Sequence, residues 1–152
     1  MPEAAWPVFR VESDLRTTKT LDYQDAARIV NEILGEAAKL ANTAVVAVVD
    51  PHGELIAFAR MDEAPVSSIK IAMNKAYTAA RERKSTEEIG RKARDPEKGF
   101  DIAYFGDDRF VGWGGGVPVC RGGQVVGAIA VSGLPQVEDI RLANWAAGLV
   151  GD

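Results

Sequence analysis

The chain has little of what metal sites and nucleophilic catalysis need, because its 152 residues include one histidine, His52, and one cysteine, Cys120. Zinc and iron–sulfur sites use several His, Cys or carboxylate ligands, so the sequence predicts no metal site. A Ser or Cys triad would need His52 as its base, and His52 stands in an Asp-Pro-His-Gly sequence typical of an exposed turn. A lone cysteine forms no internal disulfide, which favours a reducing, cytoplasmic location.

The chain also lacks an excess of positive charge and a long apolar run. It has 18 basic and 22 acidic residues, a formal net charge of −4, and no block of like charges. This pattern argues against a nucleic-acid partner and against binding to an anionic membrane surface. Charged residues such as Asp50, Arg60 and Lys70 interrupt the most hydrophobic region, so no membrane-spanning segment is predicted. No apolar leader follows Met1, which again favours the cytoplasm.

The length of the chain and its content of 47% hydrophobic residues are typical of a single domain with one hydrophobic core. Residues 1–19 show no sustained period and are predicted to be an N-terminal arm, and residues 20–152 are predicted to be the domain. The arm carries Trp6, Val8 and Phe9, more apolar area than a free tail usually exposes. We therefore expect a homo-oligomer.

The hydrophobic periods predict an α+β fold in which helices flank an antiparallel sheet. The first strand is apolar on both faces, which favours a central position. The predicted order is helix 22–41, strands 45–49 and 54–60, helix 65–83, a Ser85-capped helix to 94, an irregular segment 95–108, strands 109–113, 117–121 and 124–132, and helix 135–149.

A glycine cluster, Gly114, Gly115 and Gly116, follows Trp113. Successive unobstructed amides can form a nest for a carboxylate or a phosphate, and the indole can supply a flat apolar wall. The alternative is a bulge or turn in which glycine allows close packing. The sequence leaves both interpretations open.

Three polar residues are further candidates. Lys75 borders an alanine-rich helical stripe, where it would contact an anion or act as a base of lowered pKa, or else extend to water. Arg60, at the end of a predicted strand, would clamp a carboxylate, or else pair with Asp62 on the surface. Tyr104 lies in the long irregular segment, as a lid residue or a proton donor.

Several stretches together resemble the haem-degrading domain family, which includes GlcG-like proteins, HbpS and the C-terminal domain of PduO-type proteins. The resemblance covers about residues 21–149 and implies a profilin-like fold with a sheet of roughly five antiparallel strands. It also implies symmetric oligomers, with haem bound by some members. The matching segments are Val48-Val49-Asp50 with Gly53 and Leu55, Arg60-Met61-Asp62, Ala72 with Lys75 to Ala79, Gly114 to Val119, and Val126 to Gly133.

The sequence departs from a histidine-ligated haem protein, because no histidine lies on a predicted helix. Strong axial ligation uses His, Cys, Tyr or Met, and His52 is expected to lie far from the glycine cluster. The other candidate ligands are Tyr77, Tyr104, Met73 and Cys120.

Three functions stay open at this point. The first is a binding protein that holds a small anionic or flat ligand, haem included, between Arg60, Lys75, Trp113 and the cluster Gly114 to Gly116. The second is a cofactor-free lyase, hydratase or isomerase acting on a small carboxylate, with Lys75 or Tyr104 as acid or base. The third is a structural oligomer that binds no ligand.

Overall fold

The computed structural model describes residues 14–152, which form a four-stranded antiparallel sheet in the order β2-β1-β4-β3. The strands are β1 (Val45–Val49), β2 (Leu55–Arg60), β3 (Gly116–Arg121) and β4 (Gln124–Ser132). β1 lies between β2 and β4 and is buried throughout, so its predicted central position is confirmed. Gly122 and Gly123, at φ +57° and +73°, form the tight turn between β3 and β4 that the sequence predicts.

Within residues 14–152, four α-helices cover the sheet: α1 (Tyr23–Lys39), α2 (Ser67–Glu82), α3 (Thr86–Ala93) and α4 (Gln136–Val150). α1 and α4 lie on one face, where Val46 and Val48 of β1 enter their core cluster. α2 lies on the other face and packs through alanines against Val45, Ala47 and Val49. Successive residues of a strand point to opposite faces, so the side chains of β1 contribute alternately to the hydrophobic cores on the two faces of the sheet.

The helix starts differ in their capping. Asp22 caps α1 by accepting a hydrogen bond from the amide of Asp25 at 2.8 Å, and Ser85 caps α3 by accepting one from the amide of Glu88 at 3.2 Å. The predicted cap at Ser85 is thus confirmed. α2 and α4 begin after Val66 and Pro135, and no side chain caps either of them. Their first amides are therefore left for other partners.

The predicted strand at 109–113 is wrong, and so is the expectation of roughly five strands, because the sheet has four. Side chains of helices take the hydrogen bonds that a neighbouring strand would have supplied. Thr78 Oγ1 accepts from the amide of Val111 at 3.1 Å and lies 3.3 Å from the carbonyl oxygen of Arg109. Arg94 donates to the carbonyl of Gly112 at 3.2 Å. The segment consequently lies against α2 and α3 instead of extending the sheet.

The irregular segment before it contains one 3-10 turn, Ile102–Phe105, and is tied to α2 by a polar cluster. The carboxylate of Asp107 accepts hydrogen bonds from the Tyr77 hydroxyl and from Arg109. The Tyr77 hydroxyl, and then Arg109, lower the pKa of Asp107 to about 2. The Arg109 guanidinium also lies over the Tyr77 ring, 3.8 Å from its centroid. This cluster fixes the chain just before Trp113.

Most of the predicted N-terminal arm, including Trp6, Val8 and Phe9, lies outside the described residues, so the boundary at 19/20 stays a prediction. Within residues 14–152, no helix has the length and apolar character needed to cross a bilayer.

Candidate functional site

A cavity of about 290 Å³ lies where the beginnings of α2 and α4 meet the segment that carries Trp113. Its volume is at the lower end of the range for small-molecule pockets. Chain segments far apart in sequence form its walls: 65–75, Trp113 and 132–139. The lining residues are Pro65, Ser67, Ser68, Ile71, Lys75, Trp113, Ser132, Gly133, Leu134, Gln136 and Asp139.

A buried ion pair lies at this cavity, with Lys75 2% and Asp139 4% exposed. Lys75 Nζ lies 3.1 Å from Asp139 Oδ2 and donates to the carbonyl of Val131 at 3.0 Å. Asp139 Oδ1 accepts from the amide of Leu134 at 3.2 Å. An ammonium has three protons, and among residues 14–152 the third proton of Lys75 has no acceptor. Lys75 thus retains one donor for a molecule in the cavity.

Burial changes the proton affinities of both partners. Loss of hydration raises the pKa of Asp139 to about 6, against the opposing effects of the Lys75 charge and of hydrogen bonds from Lys75 and Leu134. Loss of hydration also lowers the pKa of Lys75, against the charge and hydrogen bond of Asp139. Removal from water disfavours the charged form of each group, so the energy of moving a proton from Lys75 to Asp139 is reduced. Such groups in a cleft are typical of functional sites.

The two uncapped helix starts meet at this cavity, since Ser67 and Ser68 open α2 and Gln136 opens α4. Among the described residues, the amides of Ser67, Gln136 and Val137 have no hydrogen-bond acceptor. A helix start carries partial positive charge, and free amides there bind anions. The amides of Ser67 and Gln136 therefore add partial positive charge at the edge of the cavity.

Two serine hydroxyls also line the cavity. Ser68 and Ser132 are each 4% exposed, and neither side chain has a hydrogen-bond partner within residues 14–152. Neither hydroxyl oxygen is fully enclosed by the described protein atoms, so each can still reach a molecule in the cavity. Hydroxyls at such buried positions are normally paired, because an unpaired one loses its bonds to water. Ser68 and Ser132 are therefore suited to hold a polar molecule in the cavity.

The glycine cluster lies behind the ion pair, and its three residues are absent from the cavity lining. A Cβ on Gly115 would lie 2.9 Å from Lys75 Nζ and 2.7 Å from the carbonyl oxygen of Val131. The amide of Gly116 is already bound to Thr86 Oγ1 at 2.9 Å. The structure thus favours the close-packing interpretation, and ligand contact by Gly114, Gly115 and Gly116 stays a prediction.

Of the remaining candidate residues, the structure places some at the cavity and others away from it. Trp113, 58% exposed, lines the cavity together with Lys75. Arg60 is exposed at the end of β2, and Tyr104 is 88% exposed in the 3-10 turn, and neither lines this cavity. The alternative in which Lys75 extends to water is wrong, because Lys75 is 2% exposed and α2 is buried on most of its circumference. Lys75→Ala is consequently expected to weaken folding as well as binding.

Sequence reasoning missed Asp139, Ser68 and Ser132. An acidic residue in the first turn of a helix normally faces solvent and offsets the helix dipole. Asp139 fits that surface role, so its sequence position gave no reason to select it as a site residue. The available signal was its spacing of three and four residues from Leu142 and Ala143, which are buried on the same face.

A second, larger cleft of about 790 Å³ shares Trp113 with the cavity. It lies between the end of α3 and the irregular segment, and its wall includes Arg94, Phe100 and Ile102. The cleft provides no His, Met, Tyr or Cys side chain among the described residues. It is large enough for a flat ligand but offers no axial ligand for iron.

Comparisons with known proteins agree on the family to which the chain is similar. The family model described as "Haem degrading protein HbpS-like" matches residues 21–147. Protein GlcG of Escherichia coli K12 is 34% identical over 121 residues, which are 78% of this chain and 85% of GlcG.

Two solved structures share the fold. The crystal structure of the Klebsiella pneumoniae protein ORFY has a TM-score of 0.84 and 30% identity, and the match covers 91% of this chain and 96% of ORFY. The crystal structure of a PduOC:haem complex has a TM-score of 0.79 and 26% identity, and the match covers 86% and 95% of the two chains.

Proposed function

The chain belongs to the HbpS-like haem-degrading family, and from that premise we propose that it is a small-molecule binding protein whose ligand carries a carboxylate or a similar oxyanion. The ligand occupies the cavity at Lys75 and Asp139. Its flat or apolar part lies against Trp113.

The observation that carries this proposal is the convergence of two uncapped helix starts and a buried lysine on one cavity. The Lys75 charge is balanced by Asp139, so the pair alone does not select an anion. The free amides at Ser67 and Gln136, which both line the cavity, supply the excess positive potential. The hydroxyls of Ser68 and Ser132 add donors that fix the orientation of the anionic group.

We expect 3-phenyllactate, a carboxylate with a flat ring, to bind at least about tenfold more tightly than its neutral amide, because a charge-assisted hydrogen bond contributes about 1.5–3 kcal/mol. Trp113→Ala should weaken phenyllactate binding by about tenfold through loss of the apolar wall. Isothermal titration calorimetry measures both differences. Tyr23→Ala, which removes an exposed aromatic residue at the start of α1, is the matched control. Equal affinity for acid and amide would contradict the proposal.

A second candidate ligand is haem, favoured by the volume of the larger cleft and by the apolar side chains of Phe100, Ile102 and Trp113. The haem complex of the PduOC relative supports this candidate. The described residues of the cleft do not provide an axial ligand, so they do not fit a haem held by strong coordination. Any haem here would be held by apolar contact and by its charged groups.

His52→Ala is therefore expected to bind haemin as tightly as the parent, within about a factor of two. His52 is exposed in the β1–β2 turn and lines none of the cavities described above. Haemin titration followed by absorbance gives the comparison. If His52→Ala abolished a sharp haem absorbance band while the secondary structure stayed intact, His52 would be the iron ligand.

The homo-oligomer and the cytoplasmic location also stay predictions. Sedimentation of the full-length chain tests the first, and removal of residues 1–18 should loosen the assembly. A stable monomer of the full-length chain would contradict the prediction.

A further inference from the structure

The ion pair has features that ligand binding alone does not require. Two charges are buried at the cost of their hydration, and apolar residues of similar volume would often fold at least as well. An anion is already attracted by the helix starts and the two serines. The pair nevertheless lines the cavity beside them, where a bound carboxylate would bring its neighbouring carbons close to Lys75 and Asp139.

We propose that Lys75 and Asp139 form a proton-transfer site that interconverts the enol and keto forms of a small 2-oxo acid held in this cavity. The proposal rests on the proposed function, because it uses the same cavity and the same anchoring of the carboxylate. The substrate class is a carboxylate with an enolisable carbonyl at the adjacent carbon.

The reaction needs no cofactor. The Asp139 carboxylate takes the proton of the enol hydroxyl, and the O–H electron pair forms the carbonyl double bond. The electron pair of the carbon–carbon double bond takes a proton from the Lys75 ammonium, forming the new C–H bond. Asp139 is now a neutral acid and Lys75 a neutral amine. The proton then passes from Asp139 to Lys75 across their 3.1 Å contact, which restores both groups.

The geometry supports these roles. Lys75 retains one ammonium proton without an acceptor among residues 14–152, so it can protonate carbon without breaking its bond to Val131. Each Asp139 oxygen accepts one hydrogen bond and has a further lone pair for the substrate hydroxyl. Burial brings the proton affinities of the two groups closer together, which lowers the energy of the neutral acid and neutral amine that remain once the substrate has been converted.

Phenylpyruvate is the probe, because its enol absorbs in the ultraviolet and its conversion to the keto form is directly visible. We expect the protein to accelerate this conversion over buffer, and Asp139→Asn to reduce the acceleration by about 100-fold. Binding of 3-phenyllactate, which has no enolisable carbonyl, should not weaken in Asp139→Asn, since this position is not an expected anchor of the carboxylate and the substitution removes the charge that balances Lys75. Glu138→Gln removes a neighbouring charge that pairs with Arg141 on the surface and should leave the rate unchanged.

The pH profile of the unmodified protein gives a second test that does not depend on how Asp139→Asn folds. The rate should fall as the pH is lowered through about 6, where Asp139 becomes protonated. Lys75 of α2 is the charged group that faces Asp139; Glu87 of α3 lies against Gly114, and Glu138 is paired with Arg141. A profile without this fall would overturn the inference.

The outcomes separate the two proposals. Phenyllactate binding without acceleration of phenylpyruvate conversion would overturn the proton-transfer site and leave the binding function standing. An Asp139→Asn protein that folds and keeps the full rate would do the same. Failure to bind phenyllactate or any other small carboxylate would overturn both.

Discussion

Asp139→Ala is expected to lower the free energy of unfolding by about 3–5 kcal/mol, because it leaves the buried ammonium of Lys75 without its partner. The carbonyl of Val131 would be the one acceptor left to Lys75 among the described residues. The amide of Leu134 would also lose its acceptor. Domains of this size are stable by about 5–15 kcal/mol, so the loss is a large share of the total.

Glu138→Ala is the matched control, because it removes the adjacent acidic residue from the same helical turn. Glu138 pairs with Arg141 at the surface, and such pairs contribute at most about 1 kcal/mol. Urea denaturation of both variants, with comparison of midpoints and slopes, gives the two free energies. Equal losses for Asp139→Ala and Glu138→Ala would show that the Lys75–Asp139 pair is not buried in solution.

The double variant Lys75→Met, Asp139→Leu distinguishes the cost of a broken pair from the value of an intact one. Apolar replacement of both partners often leaves stability unchanged or raises it. We therefore expect the double variant to recover most of the stability lost in Asp139→Ala. Ligand binding should be impaired in the double variant, because the free Lys75 proton is gone. Such a result would assign the pair to function rather than to folding.

The elements of this fold could be predicted from local patterns wherever one pattern dominates. The alternating and continuous apolar runs of β1, β2 and β4, the Ser85 cap and the turn at Gly122 and Gly123 each specify their own geometry. The strand predicted at 109–113 is wrong because the hydrogen bonds of that segment go to Thr78 and Arg94, which are distant in sequence. A single sequence contains no signal for such partners.

The candidate site was only half predictable for the same reason. Lys75 and Trp113 stand out in the sequence as unusual residues beside an alanine stripe and a glycine cluster, and the structure places both at one cavity. Asp139 is 64 positions from Lys75, and its approach depends on how α2 and α4 pack against the sheet. The absence of side-chain caps at α2 and α4 becomes meaningful only when the two helix starts are seen to converge.

Gly115→Ala is expected to cost about 2–5 kcal/mol, the second largest effect, through two separate causes. Gly115 has φ +119°, a backbone conformation in which any side chain is strained. Its added Cβ would also lie 2.7 Å from the Val131 carbonyl oxygen, 2.9 Å from Lys75 Nζ and 3.0 Å from Asp139 Cβ. The Val131 carbonyl is bound to Lys75, and Lys75 is bound to Asp139, so moving any of these atoms away from the added Cβ would weaken one of these bonds.

Gly106→Ala isolates the first cause, because Gly106 has φ +70° but no atom within 4 Å of an added Cβ. Backbone strain alone should cost Gly106→Ala about 1–2 kcal/mol. The excess loss in Gly115→Ala, measured by urea denaturation, then reports the packing of the glycine cluster on Lys75 and Asp139 together with the larger backbone strain at φ +119°. Equal losses of stability in the two variants would show that the glycine cluster is not closely packed against the ion pair. Gly114, Gly115 and Gly116 would then again be candidates for ligand contact.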